Sequence, residues 1–314
     1  MTNIIKVENI SKIYKRNKKN FLALKDITFS VCSGEIIGVI GKNGAGKSTL
    51  IKLLSGILLA DKGKIIIDGF NPFEQRKKII NKIGVLFGQK SQLIWDLKVK
   101  ESFLLTKYIY KIDKENYSSI LEFLLKNFEV RELMEVPVKE LSLGQRMKCE
   151  IINTILPLPK ILYLDEPTLG LDILSKNSIQ KIIQTLNQKY NITIILTSHD
   201  LNEIEKVCNR IIIIDEGKMI YDASIFQIKE NYNNFKRIDF SLKEGVIFKV
   251  PNSLKDKVKF IQEHKKISLS FNLKNIPLNC VVSEILNFYE IEDLIINEKT
   301  IEDIILEIYK EENL

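Results

Sequence analysis

The chain has little of what metal and disulfide proteins depend on. Its 314 residues include four cysteines and two histidines. Cys32, Cys149, Cys208 and Cys280 are scattered, with no CxxC pair. Neither a disulfide framework nor a zinc site is expected, and a reducing compartment fits. His199 and His264 are too few for a His-rich metal site. Long apolar runs are missing as well. Those present, such as Ile211–Ile214, are strand-sized and far short of the ~20 residues that cross a bilayer. The opening MTNIIKVENISKIY alternates and lacks the apolar core of a signal peptide. These absences predict a cytoplasmic chain whose membrane role, if it has one, comes through a partner.

What is present is an ordinary globular balance, 45% hydrophobic and 28% charged. The formal charge of +7 reflects 47 Lys+Arg against 40 Asp+Glu and is mild for the length. We read it as composition bias, so no nucleic-acid partner is expected. The basic stretch Lys12–Lys25, with Lys15, Arg16, Lys18 and Lys19, reads as a solvated loop between strands. The length predicts one large domain and a smaller one.

Along the chain, residues 3–40 alternate as β-structure, with Ile5, Val7 and Ile10 on one face and Ile27, Phe29 and Val31 on another. Ile36–Ile40 is a continuous apolar run, as suits a strand buried on both faces. Residues 96–135 carry apolar residues at helical spacing, among them Phe103, Leu104, Leu121, Leu124 and Leu125. Ile161–Leu164, Ile192–Thr197 and Arg210–Ile214 are strand runs separated by helical segments, which predicts a mostly parallel sheet. The pattern changes around Ser224–Asn234. Beyond it we expect a hairpin (Ile238–Leu242, Lys243–Gly245, Val246–Val250), a helix from about Ser253 and a strand at Ile267–Leu273. A helix near Val282–Tyr289, a strand at Leu294–Ile296 and a helix at Ile301–Lys310 follow, the last capped by Thr300 and Asp303.

The segment Gly41, Lys42, Asn43, Gly44, Ala45, Gly46, Lys47, Ser48, Thr49 fits GxxxxGK[ST] between a strand and a helix. Glycines let backbone N–H groups close around phosphate oxygens, and the helix start adds its positive dipole end. Lys47 is expected to reach the β- and γ-phosphates and the Ser48 hydroxyl to ligate Mg²⁺. Strand Ile161–Leu164 ends in Asp165 and Glu166. Buried charges at a strand end are costly unless a cation or ligand uses them. Asp165 is placed to hold the Mg²⁺ shell and Glu166 to polarise an attacking water. Leu141–Gln145 precedes a helix. Ser142 can present its hydroxyl, and the following amides their N–H groups, to an anion, although alone the segment reads as a helix N-cap.

In order, Gly41–Thr49, Gln89, Leu141–Gln145, Asp165–Glu166, Leu171–Asp172 and His199 resemble the nucleotide-binding subunit of ATP-binding cassette (ABC) proteins, over about residues 4–222. The resemblance implies an α/β P-loop NTPase cassette at 1–224. Within it come a mostly parallel sheet, an antiparallel β subdomain and a helical subdomain at about 90–158. A small C-terminal α+β accessory domain at 225–314 is expected to stabilise a dimer or regulate it. ATP and Mg²⁺ are the implied cofactors.

By the same resemblance Tyr14 would stack on adenine, and Gln89 would contact Mg²⁺ or the attacking water, with Gln92 a second candidate. Asp172 would sit at a dimer interface and His199 would contact the γ-phosphate. Ser142, Gly144 and Gln145 would complete the ATP site of the other subunit of a homodimer or heterodimer. Leu143 stands where the family pattern LSGGQ has glycine. Residues Phe87–Leu97, the sequence LSLGQR and Lys299–Ile305 look like a bacterial drug-exporter branch that serves separate integral membrane permeases. That implies a peripheral position on the cytoplasmic face of the cell membrane, with Trp95, the only tryptophan, lining the groove for the permease's cytoplasmic helix or anchoring the helical subdomain. An importer ATPase, or a soluble ATPase acting on ribosomes or nucleic acid, are the alternatives.

Overall fold

The computed structural model describes residues 2–16, 19–88, 90–232, 234–243, 246–298 and 300–311. It comprises two compact units, Met1–Ser224 and Ile225–Leu314. In the first, the order is β1 (Asn3–Arg16), β2 (Lys19–Cys32), β3 (Ile36–Ile40), α1 (Lys47–Leu54), β4 (Lys62–Ile67), α2 (Arg76–Ile79) and β5 (Ile83–Phe87). Helices α3 (Val99–Ile109), α4 (Lys114–Phe128) and α5 (Leu143–Ile155) follow. The unit ends with β6 (Ile161–Asp165), α6 (Ile173–Tyr190), β7 (Thr193–Thr197), α7 (Leu201–Val207), β8 (Arg210–Asp215) and β9 (Lys218–Ser224).

Strands β2-β1-β4 form an antiparallel sheet, and β5-β6-β7-β3-β8-β9 a second sheet that is parallel except for β9. Strands β3, β6 and β7 are buried at every position, which is why they read as unbroken apolar runs. Ile5, Val7 and Ile10 are all buried although Ile10 has the wrong parity for one face. The register shifts between Val7 and Ile10, where Asn9 takes φ 49°, and this bulge restores the face. Side chains of Asp113, Ser142, Asp172 and Asp200 cap α4, α5, α6 and α7. Among the described residues no helix is long and apolar enough to cross a membrane.

The stretch Lys12–Lys25, expected to be a loop, is instead the paired end of β1 and β2, with Ile13 opposite Leu22 and Tyr14 opposite Phe21. Lys15 and Lys25 are exposed, Lys12 is half-buried and pairs with Asp61 at 3.1 Å, and Lys18 falls outside the described residues.

The second unit runs α8 (Ile225–Tyr232), β10 (Phe235–Leu242), β11 (Val258–Glu263), β12 (Lys266–Asn272), α9 (Leu278–Phe288), β13 (Ile291–Glu298) and α10 (Ile301–Glu311). Its antiparallel sheet has the order β11-β12-β10-β13. The hairpin expected at Ile238–Val250 is not formed among the described residues, and residues 244 and 245 of its expected turn lie outside them. Strand β10 pairs with β12 and β13, and residues 246–250 are not a strand. Phe248 plugs the core against Phe240, Phe260 and Tyr289, and the Tyr289 hydroxyl donates to Lys249 O at 2.8 Å and accepts from its N–H at 2.9 Å. A side chain thus satisfies backbone groups that a neighbouring strand would have taken. The helix expected from Ser253 is a single 3₁₀ turn, Asn252–Leu254, leading into β11. Thr300 and Asp303 do cap α10.

Candidate active site

The glycine loop leaves the buried strand β3 and enters α1 at Lys47. Gly46 takes φ 112°, a left-handed value that glycine alone adopts without strain, and a Cβ there would lie 2.7 Å from Ala23 O. As the N-cap of α1 it makes no side-chain cap hydrogen bond, so the first-turn amides at Lys47, Ser48 and Thr49 are left for an anion. The loop is braced from two directions. Gly217 N–H donates to Ala45 O at 3.1 Å, and Lys25 N–H to Gly217 O at 2.8 Å. Gly41 is packed under Ile214 O, whereas Asn43 and Gly44 are exposed at the open crest.

Lys47 is 5% exposed, with Nζ donating to Gly41 O at 2.7 Å and to Lys42 O at 3.3 Å. Glu166 Oε1 stands 3.7 Å from the same Nζ, and His199 Nδ1 lies 3.9 Å from Glu166 Oε2. The three groups come from the ends of β3, β6 and β7, the carboxyl edge of the sheet where α/β folds bind ligands. The His199 side chain is 55% exposed and is not a core histidine.

Asp165 is 9% exposed, and its Oδ1 accepts from the Thr197 hydroxyl at 2.7 Å. Thr197 also accepts from Glu166 N–H, at Oγ1 3.0 Å and at O 3.1 Å. Glu166 adopts φ 52°, a conformation these bonds hold in place. Thr197 was not singled out from sequence, although a hydroxyl closing an otherwise apolar strand was the available signal. Ser48 and Asp165 are hard oxygen donors, the chemistry that suits Mg²⁺ with few protein ligands. No cluster of three or more His, Cys, Asp or Glu that could cage a metal occurs among the described residues.

Tyr14, half-buried on β1, has its hydroxyl 3.5 Å from Thr49 Oγ1, which places its ring at the rim of the loop. Gln89 lies outside the described residues. Gln92 donates through its side chain to Val85 O. Trp95 is 51% exposed, so it is not a core anchor, and Arg146 covers its ring. Nor does it line the adjacent groove of about 340 Å³, whose walls include Ile80, Val85, Lys90, Gln92, Tyr110 and Asn153.

Ser142 caps α5, accepting from Gln145 N–H at 3.2 Å, while Gln145 Oε1 accepts from Ser142 N–H at 3.0 Å. Gly144 is buried, and a Cβ there would strike Ser175 Oγ. Ser175 in turn donates to Asp172 from its N–H at 2.9 Å and its hydroxyl at 2.6 Å. Those bonds hold the Asp172 carboxyl below its usual range. Leu143 lies over Gly170, at 3.4 Å from where a Cβ would sit, so the departure from glycine is accommodated by the chain itself. A further network missed from sequence involves Ser198 and Asp200, the chain neighbours of His199. Lys176 pairs with Asp200 at 3.1 Å and with buried Glu203 at 2.9 Å, and Glu203 accepts from Thr168 and Ser198.

A family model described as "ABC transporter" matches residues 24–169. The chain is 32% identical over 228 residues to ABC transporter ATP-binding protein NatA of Bacillus subtilis, covering 73% of this chain and 92% of that one. It is 33% identical to Bacitracin transport ATP-binding protein BcrA of Bacillus licheniformis, covering 78% of this chain and 76% of that one. Against Methionine import ATP-binding protein MetN of Latilactobacillus sakei it is 31% identical, covering 72% and 67%. The solved dimeric ATP-binding cassette MJ0796, in a post-hydrolysis state bound to ADP and Pi, superposes with a TM-score of 0.64 at 26% identity, covering 70% of this chain and 98% of that one. cbiO1 from Clostridium perfringens, part of the ABC transporter complex cbiONQ, gives a TM-score of 0.65 at 28% identity, covering 74% and 94%. With its phosphate loop, paired acids and capped Ser142 helix on the scaffold of these proteins, the chain belongs to the ABC transporter family as an ATP-binding subunit, an ATPase that works with ATP and Mg²⁺.

Proposed function

We propose that the chain drives export through separate membrane permease subunits, closing as a dimer around two ATP molecules and reopening after hydrolysis. The carrying observation is the convergence of Lys47, Glu166 and His199 at one sheet edge, with Nζ–Oε1 at 3.7 Å and Nδ1–Oε2 at 3.9 Å. Lys47 and the first-turn amides of α1 bind the phosphate oxygens, and Tyr14 meets the adenine. Glu166 orients the attacking water, with its backbone fixed by Thr197, and His199 contacts the γ-phosphate side of the site. Ser48 and Asp165, with Gln89, would hold Mg²⁺, which would supply positive charge to the phosphate group under attack.

Ser142, Gly144 and Gln145 complete the site of the neighbouring subunit, with Asp172 at the shared interface. Both half-sites are intact in this one chain, which supports a homodimer. The groove beside Gln92 receives a cytoplasmic segment of the permease, holding the chain at the cytoplasmic face of the membrane. Export is favoured by the branch-like stretch Phe87–Leu97 and LSLGQR. The importer reading has the likeness to MetN behind it. The deciding experiment is co-purification with a permease and reconstitution in vesicles. Substrate-stimulated ATPase with transport away from the ATPase face supports export, and transport toward that face rejects it.

A further inference from the structure

The stretch after position 89 is fastened to helix α5 by groups that the ATPase chemistry does not use. Glu150, mid-way along α5, is 3% exposed. Its two oxygens accept from Gln92 N–H at 3.2 and 3.0 Å, and Oε1 also accepts from the Ser91 hydroxyl. One turn earlier on the helix, the Arg146 guanidinium lies 5.4 Å from the centroid of the Trp95 ring, within cation–π range. Gln92 meanwhile donates to Val85 O on β5. Residues 91–95 are therefore held between a strand of the parallel sheet and α5. One turn beyond Glu150, Asn153 accepts from Thr106 Oγ1 at 2.7 Å, which ties in α3.

A buried carboxylate is costly unless it is fully hydrogen-bonded, and here its partners are a single short loop. Burial pushes the Glu150 carboxyl up, opposed by its bonds to Ser91 and Gln92. Ser91, Gln92, Thr106 and Asn153 also line the groove of about 340 Å³. The groove is thus lined in part by groups bonded to α5. Ser142, the N-cap of α5, is ~12 Å along the axis from Glu150 at 1.5 Å per residue.

We propose that Glu150, assisted by the Trp95–Arg146 pair, is a positioning residue that locks residues 91–95 to α5 and thereby holds the helix so that Ser142 meets the neighbouring subunit's nucleotide. The inference rests on the shared-site reading given above. It separates two properties that a merely structural residue would change together. Nucleotide binding by the loop at Lys47 stays intact, while turnover, which needs Ser142 in place, falls.

The test compares wild type, Glu150→Ala, Glu150→Gln and Ser142→Ala for kcat and for equilibrium binding of a fluorescent ATP analogue. Misplacement of a reacting group predicts a ~10- to 100-fold loss of kcat in Glu150→Ala, with analogue affinity within about twofold of wild type. Glu150→Gln keeps an acceptor oxygen and recovers most of the rate. Should Glu150→Ala not fold, Trp95→Leu with Arg146→Met breaks the second attachment at an exposed position and is expected to show the same split. Wild-type kcat in Glu150→Ala, or in the surface pair where Glu150→Ala does not fold, overturns the proposal. So does a parallel loss of kcat and affinity. Full turnover in Ser142→Ala rejects the shared-site reading itself. An inactive Ser142→Ala beside a normal Glu150→Ala rejects only the clamp.

Discussion

Lys47 Nζ and Glu166 Oε1 face each other at 3.7 Å across the mouth of the phosphate loop. The two belong to different strand ends, and opposite roles follow from their positions. Replacing Glu166 with Gln keeps the volume but removes the base. Turnover is expected to fall ~10²–10³-fold, about 3–4 kcal/mol, while ATP still binds. Size-exclusion chromatography with ATP should show a persistent dimer, and wild-type turnover would refute the assignment.

Lys47→Ala acts on binding instead. The ammonium sits where the loop carbonyls of Gly41 and Lys42 converge, so its removal is expected to weaken ATP affinity before it touches the chemistry. Titration calorimetry reads this directly, and an unchanged Kd would count against the loop.

Removal of Mg²⁺ separates the two again. Chelation with EDTA should abolish hydrolysis while leaving measurable ATP binding, and Ser48→Ala should raise the Mg²⁺ concentration needed for half-maximal rate. Full activity in EDTA contradicts the donor set.

Gly144 has no room for a methyl group. Gly144→Ala drives a Cβ into Ser175 Oγ, so both turnover and thermal stability are expected to drop. Ser175→Gly in the same chain opens the space and should recover part of the rate. No recovery would mean that Gly144 serves the neighbouring nucleotide rather than this packing.

The network at Lys176 sets a pH dependence. Its bond to Glu203, with Asp200 assisting, raises the Lys176 pKa above the ordinary 10.5. That contribution is complete below 10.5 and is lost as pH rises through the higher folded value. Burial alone would raise Asp200, but the Lys176 bond and charge, together with the N–H groups of Glu203 and Asn202, outweigh it and the pKa falls below 3.8. Its share is present above 3.8 and is lost as pH falls through the lower folded value. Lys176→Met leaves Glu203 buried without its cation, a cost of about 2 kcal/mol after allowing for the partial exposure of Lys176. A Tm drop of roughly 5 °C near neutral pH is expected, narrowing in strong acid and strong base. An unchanged Tm would show that the pairs are cosmetic.

The cassette was legible in the sequence because its signals are local. The run Ile36–Ile40 and the glycine loop specify strand, turn and helix within a dozen or so residues, and Asp165–Glu166 ends an apolar strand that could be nothing else. The same habit failed in the second unit. Lys243–Gly245 offered a turn between two apolar stretches, yet β10 found its partners far along the chain, and Phe248 gained more by filling the core than by pairing. Strand β11 was hidden because Leu254, Val258 and Ile261 fall at helical spacing. Around the site, Thr197, Glu150 and Glu203 escaped notice because each acts on a residue remote in sequence. Only the folded chain brings Thr197 to Asp165 or Glu150 to Ser91.

The brace that joins Ala45, Gly217 and Lys25 sets the phosphate loop at the seam of the two sheets, with Tyr14 reaching it from β1. A nucleotide seated there is gripped by stretches of chain that would otherwise come apart separately. At a hundred times its Kd, ATP lowers the unfolded population about a hundredfold, ~2.7 kcal/mol. The lifetime of the protein against proteases is then expected to lengthen with the share of sites that hold a nucleotide.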